Sequence, residues 1–139
     1  MDQSSLPKAL ICDIDKTLLF PEGFDFPAPK YYLNKCVWNI VNSVNSVGYR
    51  TVFLTCRPES MRQETHQELR KYFERFDLFM RPGTVILKDQ TDDLIKKEIY
   101  LREIEPYYRV LYALDDKDIV KNMWKSLNIE VLNFYVQLD

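Results

Sequence analysis

The sequence has little of the chemistry that histidine and cysteine sites require. It contains one histidine, His66, and three cysteines, an odd number that cannot pair completely into disulfides. Cys12, Cys36 and Cys56 lie inside apolar patterns, so we expect reduced, buried thiols in a cytosolic protein. A catalytic cysteine is the sharper alternative, but it is disfavoured because His66 lies on a polar stretch of a predicted helix.

Long hydrophobic runs and a dominant charge are also missing. No stretch approaches the roughly 20 apolar residues that a transmembrane helix needs. Residues 1–5 show neither the basic nor the apolar part of a secretion signal, so we expect no membrane contact and a cytoplasmic location. The net charge of −2 gives no overall attraction to nucleic acid or membrane, so any polyanion would be bound by a local patch.

The remaining composition is typical of a globular protein, with 46% hydrophobic and 29% charged residues among 139. We expect one domain over residues 1–139. Apolar patterns predict strands at 8–12, 50–55, 76–80, 109–114 and 129–136, and helices at 30–47, 61–73, 91–105 and 119–127. This alternation specifies a three-layer, Rossmann-like α/β fold, a parallel five-stranded sheet with helices on both faces. Residues 84–90 fit either a short strand or a loop.

One connection is longer than a turn. Residues 16–29 carry three prolines together with Phe20, Phe24 and Phe26. A loop of this length after a strand is often a functional lid. The equally open alternative is that the three phenylalanines pack the loop onto the core.

Polar residues follow three of the predicted strands. They are Asp13 and Asp15, Thr55 and Arg57, and Asp115 and Asp116. A single Asp after a strand commonly forms only a turn. Parallel strands, however, bring their carboxyl ends to the same edge of the sheet, where α/β folds bind ligands. Four converging carboxylates repel one another unless a cation neutralises them, and oxygen ligands without histidine or thiolate favour Mg²⁺ over Zn²⁺.

This set of residues has the parts needed for phosphoryl transfer. A carboxylate beside Mg²⁺ can attack phosphorus, and a second acid two residues away can protonate the leaving oxygen and then activate water. A hydroxyl such as Thr55 and a lysine or arginine would hold the other phosphoryl oxygens. The sequence therefore predicts an enzyme acting on a phosphomonoester.

The order Asp-x-Asp, Thr, Lys, Asp-Asp resembles the haloacid dehalogenase superfamily of phosphatases, and the likeness covers essentially the whole chain. Residues 13–19 look like its first motif, Thr55 its second and Asp115-Asp116 its fourth. In receiver domains, by contrast, the acidic pair comes first. The resemblance implies that Asp13 is the nucleophile and that Asp15 is the general acid/base. It also implies Mg²⁺ held by Asp13, the Asp15 backbone carbonyl and Asp115 or Asp116.

The second half looks most like the 3′-phosphatase domain of phage-type polynucleotide kinase–phosphatases. The stretches 92–100 and 113–116 carry this likeness, with the apolar residues that follow them. It implies that Lys96 binds phosphate, with Asp92 as its acidic neighbour and Lys97 or Lys88 as alternatives. Three further residues complete the predicted substrate-binding set: Arg57, Thr17 and Arg81.

The chain departs from the family pattern at two places. Lys16 stands where glycine is usual, and residues 18–29 lack the family's additional arginine. No GxxxxGKS or GxxxxGKT sequence occurs, so we expect no kinase domain in the chain, and the connections allow only a minimal cap. We expect a Mg²⁺-dependent phosphatase for polynucleotide 3′-phosphates. The alternatives are a phosphatase for small metabolites or phosphoproteins and a non-catalytic binding module.

Overall fold

The computed structural model describes residues 5–83 and 90–138. The strands are β1 Lys8–Cys12, β2 Leu19–Pro21, β3 Tyr31–Leu33, β4 Arg50–Pro58, β5 Asp77–Arg81, β6 Arg109–Leu114 and β7 Glu130–Val131. The α-helices are α1 Lys35–Ser46, α2 Arg62–Arg70, α3 Asp92–Ile99 and α4 Asp118–Ser126. A 3₁₀ turn, Glu59–Met61, precedes α2, and a π-helical segment, Tyr100–Ile104, extends α3.

A parallel five-stranded sheet with β1 at its centre forms the middle layer. The strand order is β5-β4-β1-β6-β7, which confirms the predicted sheet. In β1, Ala9 and Ile11 belong to one buried cluster, and Leu10 and Cys12 belong to the other. Because successive strand residues point to opposite faces, β1 is covered on both sides.

The helices supply the two outer layers. On the Ala9 face, the cluster takes Ile95 and Ile99 from α3 and Trp124 from α4. On the Leu10 face, it takes residues from α1 and α2, including Val37, Val41 and Leu69. This confirms the three-layer α/β arrangement. Within the described residues, no helix is long and apolar enough to cross a membrane.

Two predicted element boundaries are wrong. The helix expected over 30–47 begins only at Lys35, because Tyr31–Leu33 pairs with β2 and the Asn34 side chain accepts a hydrogen bond from Cys36 N at 3.2 Å, which caps α1. The strand expected over 129–136 is limited to Glu130–Val131. Leu132 still donates to Ala113 O of β6 at 2.9 Å, but the segment after it runs past Asn34, whose side chain donates to Tyr135 O at 3.1 Å.

The connection over residues 16–29 is organised as a hairpin. Strands β2 and β3 pair antiparallel, and residues 22–30 form the loop between them. Phe24 is fully exposed and Phe26 is 58% exposed, so the alternative in which all three phenylalanines pack onto the core is wrong. Of the ambiguous stretch 84–90, residues 84–89 lie outside the described part of the chain.

Candidate active site

The pairing of β1 with β6 brings distant acids together. Cys12 lies opposite Leu114, and the Asp13 N–H donates to Leu114 O at 2.9 Å, which extends the pairing by one residue. Asp13 therefore lies beside Asp115. Carboxylate oxygens of Asp13, Asp115 and Asp116 all lie within 4.8 Å of one another.

A tight turn after β1 returns Thr17 to this cluster. The Leu18 N–H donates to Ile14 O at 2.9 Å, and Lys16 adopts a φ of +65°. Glycine adopts this left-handed conformation without the steric cost that lysine pays, which explains why glycine suits this place in the motif. The Thr17 hydroxyl lies 3.0 Å from Asp13 Oδ2 and 3.2 Å from Asp116 Oδ1. One hydroxyl hydrogen cannot serve both carboxylates, so the cluster is short of donors.

Lys96 is the buried cation of the cluster. It lies on α3, is 3% exposed, and its Nζ donates to Asp13 Oδ1 at 2.9 Å and Asp115 Oδ2 at 2.6 Å. Burial alone would lower the pKa of Lys96, but the charges of Asp13 and Asp115 outweigh it and raise the pKa, so the ammonium stays charged. Lys97 instead lines a separate shallow cavity with Leu94. Lys88 lies outside the described residues.

The cluster carries more negative than positive charge. Burial, followed by the charge of Asp13, raises the pKa of Asp115. Burial and the interaction with Asp13 raise the pKa of Asp116 to about 7. With all groups ionised, this cluster of described residues holds three carboxylates and the Lys96 ammonium, which bonds to Asp13 and Asp115. Oxygen donors in a site short of two positive charges fit a hard divalent cation such as Mg²⁺.

Asp15 has a different partner. Its Oδ2 accepts from Arg57 Nε at 2.8 Å and its Oδ1 from Arg57 Nη2 at 2.6 Å, a two-point contact that fixes the carboxylate. Thr65 accepts from Arg57 Nη1 at 3.1 Å, and the Tyr31 ring lies 4.9 Å from the guanidinium carbon. Burial opposes the charge on Arg57, but the bonds and charge of Asp15 prevail and raise its pKa. The Asp15 side chain is 31% exposed and lies outside the three-carboxylate cluster.

Strand β4 places Thr55 close to this pair. Thr55 and Arg57 are two residues apart on β4, and Thr55 Oγ1 accepts from the Arg57 N–H at 3.1 Å. The hydroxyl hydrogen of Thr55 is thereby left to donate to a bound group. Thr55 is 2% exposed. It can therefore act only on a group that enters the pocket.

Asp92, the predicted acidic neighbour of Lys96, lines the same cavity as Lys96. Asp92 is paired with Lys117. Burial would raise the pKa of Asp92, but the bond and charge of Lys117 lower it. The Lys117 N–H also donates to Asp115 Oδ1 at 3.0 Å. Sequence reasoning did not assign Lys117 to the site, although its position directly after Asp115-Asp116 could have indicated that it lies there.

Most of the predicted site residues line one cavity of about 290 Å³. They are Asp13, Asp15, Thr55, Arg57, Arg81, Asp92, Lys96 and Asp116. The Nε of Arg81 donates to Cys56 O at 3.1 Å, which holds that side chain at the cavity wall. Phe26, from the predicted lid loop, also lines it, and sequence reasoning did not assign four further lining residues: Lys16, Cys56, Pro58 and Lys117. Thr17 and Asp115 do not line the cavity but contact Asp13 or Lys96 from behind.

A larger cavity, of about 570 Å³, lies at the opposite edge of the sheet. Its lining includes Arg50 and Asp77, the first residues of β4 and β5. None of the predicted site residues lines it. The carboxyl edge is therefore the candidate active site.

The fold and this cluster define a phosphatase of the haloacid dehalogenase type. Residues 7–136 match the family described as the polynucleotide kinase PNKP phosphatase domain, and the chain belongs to that family. A curated relative from Autographa californica nuclear polyhedrosis virus, named "Putative bifunctional polynucleotide kinase/RNA ligase", is 29% identical over 134 residues. That match covers 88% of this chain and 18% of the relative.

Solved structures of related chains show the same architecture. A chain in a structure titled "Structure of the Pnkp1/Rnl/Hen1 RNA repair complex" matches with a TM-score of 0.82 and 34% identity, over 95% of this chain and 44% of the other. A second structure, of the Pnkp1/Rnl/Hen1 complex, gives a TM-score of 0.82 and 35% identity, over 95% and 47%. This chain thus spans less than half the length of each relative.

Proposed function

We propose that this chain is a Mg²⁺-dependent polynucleotide 3′-phosphatase that works through phosphorylated Asp13. The observation that carries the proposal is the unbalanced cluster: carboxylate oxygens of Asp13, Asp115 and Asp116 lie within 4.8 Å of one another beside a cavity, and the buried Lys96 bonds to Asp13 and Asp115. A scaffold gains nothing from such a cluster, because converging carboxylates cost stability unless a ligand neutralises them. Family membership and relatives named for polynucleotide and RNA repair favour a nucleic-acid end as substrate.

The metal would be held by Asp13, the backbone carbonyl of Asp15 and Asp115 or Asp116. Bound Mg²⁺ would neutralise charge on the phosphoryl oxygens. Lys96 keeps Asp13 and Asp115 in place by donating to both. Thr17 holds the second oxygen of Asp13.

Asp13 and Asp15 divide the chemistry between them. An Asp13 oxygen forms a bond to phosphorus while the phosphorus–oxygen bond to the sugar breaks, and Asp15, having first taken up a proton from solvent, gives that proton to the departing sugar oxygen. Asp15 then takes a proton from a water molecule that attacks the phosphorylated Asp13. This releases inorganic phosphate and restores both carboxyl groups. Arg57 is a positioning residue here, because it grips both Asp15 oxygens.

Thr55 and Lys96 are placed to stabilise the transferred group. The Thr55 hydroxyl hydrogen is free to donate, and the Lys96 ammonium lies beside Asp13. In this type of reaction negative charge is spread over the phosphoryl oxygens in the transition state. Both side chains are buried, so their hydrogen bonds act in a water-poor setting where they are stronger.

A substrate panel tests the specificity. Initial rates of phosphate release are measured with Mg²⁺ on a 3′-phosphorylated oligonucleotide, its 5′-phosphorylated isomer, glycerol phosphate and a phosphopeptide. We expect the highest kcat/KM for the 3′ isomer and no activity in excess EDTA. A preference for the 5′ isomer or the peptide would reject the 3′-phosphatase, and activity that survives EDTA would reject the metal requirement.

A further inference from the structure

A second cavity adjoins the catalytic pocket at the β2–β3 hairpin. Its volume is about 540 Å³, and Phe20, Pro21, Phe24 and Phe26 form the apolar part of its lining. Asp15, Lys16 and Phe26 line both this cavity and the catalytic pocket. A substrate whose phosphate occupies the pocket would therefore bring its next chemical group to the hairpin.

The hairpin presents aromatic surface that the protein itself does not cover. Phe24 is fully exposed and Phe26 is 58% exposed. The guanidinium of Arg57 lies 5.9 Å from the Phe26 ring, so this ring lies next to the residue that holds Asp15. Exposed apolar side chains at the rim of a pocket are typical of a ligand surface.

The charges around the hairpin indicate which part of a nucleic acid fits it. Residues 18–29 contain no lysine or arginine, while Glu22 and Asp25 are acidic. The charged residues that line the cavity are Asp15, Asp25 and Lys16, so this aromatic surface carries no excess of positive charge to attract phosphates but accepts an uncharged, flat group. Of the five cations that line the pocket, Arg57 and Lys96 pair with Asp15 and Asp13, and Lys117 pairs with Asp92, which leaves Lys16 and Arg81 for the strand's phosphates.

We propose that Phe24 and Phe26 form a nucleobase subsite, in which the base of the terminal, phosphate-bearing nucleotide stacks. This inference rests on the proposed polynucleotide phosphatase function and adds the recognition of the last nucleotide. A base offers a flat ring to a phenylalanine whatever its identity, so the subsite selects for the presence of a base and not for its sequence. The hairpin thereby distinguishes a nucleotide end from a phosphorylated sugar or small alcohol.

The test compares two oligonucleotides that differ only in one base. Both carry a 3′-phosphate, but in one the terminal nucleotide is abasic, and kcat/KM is measured on each. We expect the wild-type protein to prefer the base-bearing end by about tenfold or more, the effect of losing one aromatic stack. Phe24→Ala and Phe26→Ala should each reduce this ratio, and the double variant should bring it close to one, chiefly by raising KM on the base-bearing end.

Two control variants separate stacking from general damage. Phe24→Tyr keeps the ring and should keep the ratio. Tyr107→Ala removes a 66% exposed ring that lies just before β6, at the other edge of the sheet, and should leave both rates unchanged.

The outcomes distinguish this inference from the proposed function. Equal kcat/KM on the two oligonucleotides, or a ratio unaffected by the double variant, overturns the base subsite while leaving the 3′-phosphatase standing. Hydrolysis of glycerol phosphate with no hydrolysis of either oligonucleotide overturns both.

Discussion

Two cations at the sheet edge hold the two acids of the first motif in different ways. Lys96 bonds to the buried Asp13 and Asp115, which lie in one cluster with the half-buried Asp116, so the carboxylates of this cluster outnumber the ammonium. Arg57 serves Asp15 alone, through two parallel hydrogen bonds, at a partly exposed place. We call these the Lys96 group and the Arg57 pair.

The difference shows how one short motif can supply two roles. The Lys96 group has fewer positive charges and fewer hydrogen-bond donors than its carboxylates require. It is therefore suited to bind a cation and to supply the nucleophile. The Arg57 pair is balanced in charge and fixed in geometry, so it orients the Asp15 carboxylate as a proton acceptor for the attacking water. The two acids are two residues apart, yet their surroundings differ because neighbouring strands supply different partners.

The largest expected effect comes from Asp13, the member of the Lys96 group that we propose to be phosphorylated. Asp13→Asn keeps the shape but removes the nucleophile, so kcat on a 3′-phosphorylated oligonucleotide should fall by about a thousandfold or more. The melting temperature should stay the same or rise, because one of three mutually repelling charges is gone. Activity within tenfold of the wild type would show that Asp13 is not the nucleophile.

Substitution of Lys96 tests whether this buried cation stabilises the Lys96 group. Lys96→Met leaves the carboxylates without their ammonium, so the free energy of unfolding without metal should fall by about 3–5 kcal/mol, as when one partner of a buried ion pair is removed. Added Mg²⁺ should restore part of this loss, as measured by urea unfolding. Lys97→Met, one residue away on a different cavity, is the matched control and should change stability by about 0.5 kcal/mol or less. If Lys96→Met and Lys97→Met lowered the free energy of unfolding equally, the proposed role of Lys96 in stabilising the carboxylates would be wrong.

Substitution of Arg57 tests whether this residue orients Asp15. Arg57→Lys keeps the charge but loses the two-point grip, so kcat should fall by about 10- to 100-fold while KM changes little. Its cost in stability should be smaller than that of Lys96→Met, because Asp15 is partly solvated. A double-mutant cycle with Asp15→Asn measures the coupling in kcat. Additive effects would mean that Arg57 does not act through Asp15.

The smallest expected effect is the pH dependence of metal binding to the Lys96 group. Without metal, the raised pKa of Asp116, about 7, favours its protonated form, so its contribution to stability is present at low pH and is lost as pH rises through 7. Mg²⁺ needs the ionised carboxylate. Its affinity should therefore rise by up to about tenfold per pH unit below pH 7 and level off above it. Calorimetric titrations between pH 5.5 and 8 measure this, and Asp116→Asn should bind more weakly with a flatter profile.

Much of the fold follows from local patterns alone. The apolar run before Asp13, the helical spacing of Val37 and Val41 and the alternation of strands and helices define a parallel sheet covered on both faces. The predicted ends of a helix and a strand were wrong where a side chain bonds to backbone groups that are distant in the chain. Asn34 caps α1 and also binds Tyr135, so it shortens both a predicted helix and a predicted strand.

The sequence by itself determined the sheet, the order of its polar strand ends along the chain and the chemical type of the site. Each of these follows from residues that are close together in sequence: the spacing of apolar residues predicts strands and helices, and the oxygen-bearing side chains after the strands indicate the kind of ligand. Only the tertiary structure decided which cation meets which acid. Lys96 and Lys97 differ by one step along a helix, yet only Lys96 faces the β1–β6 edge. Likewise Arg57 on β4 reaches Asp15 after β1, and Lys117 just before α4 pairs with Asp92 at the start of α3, because the packing of these elements sets those distances.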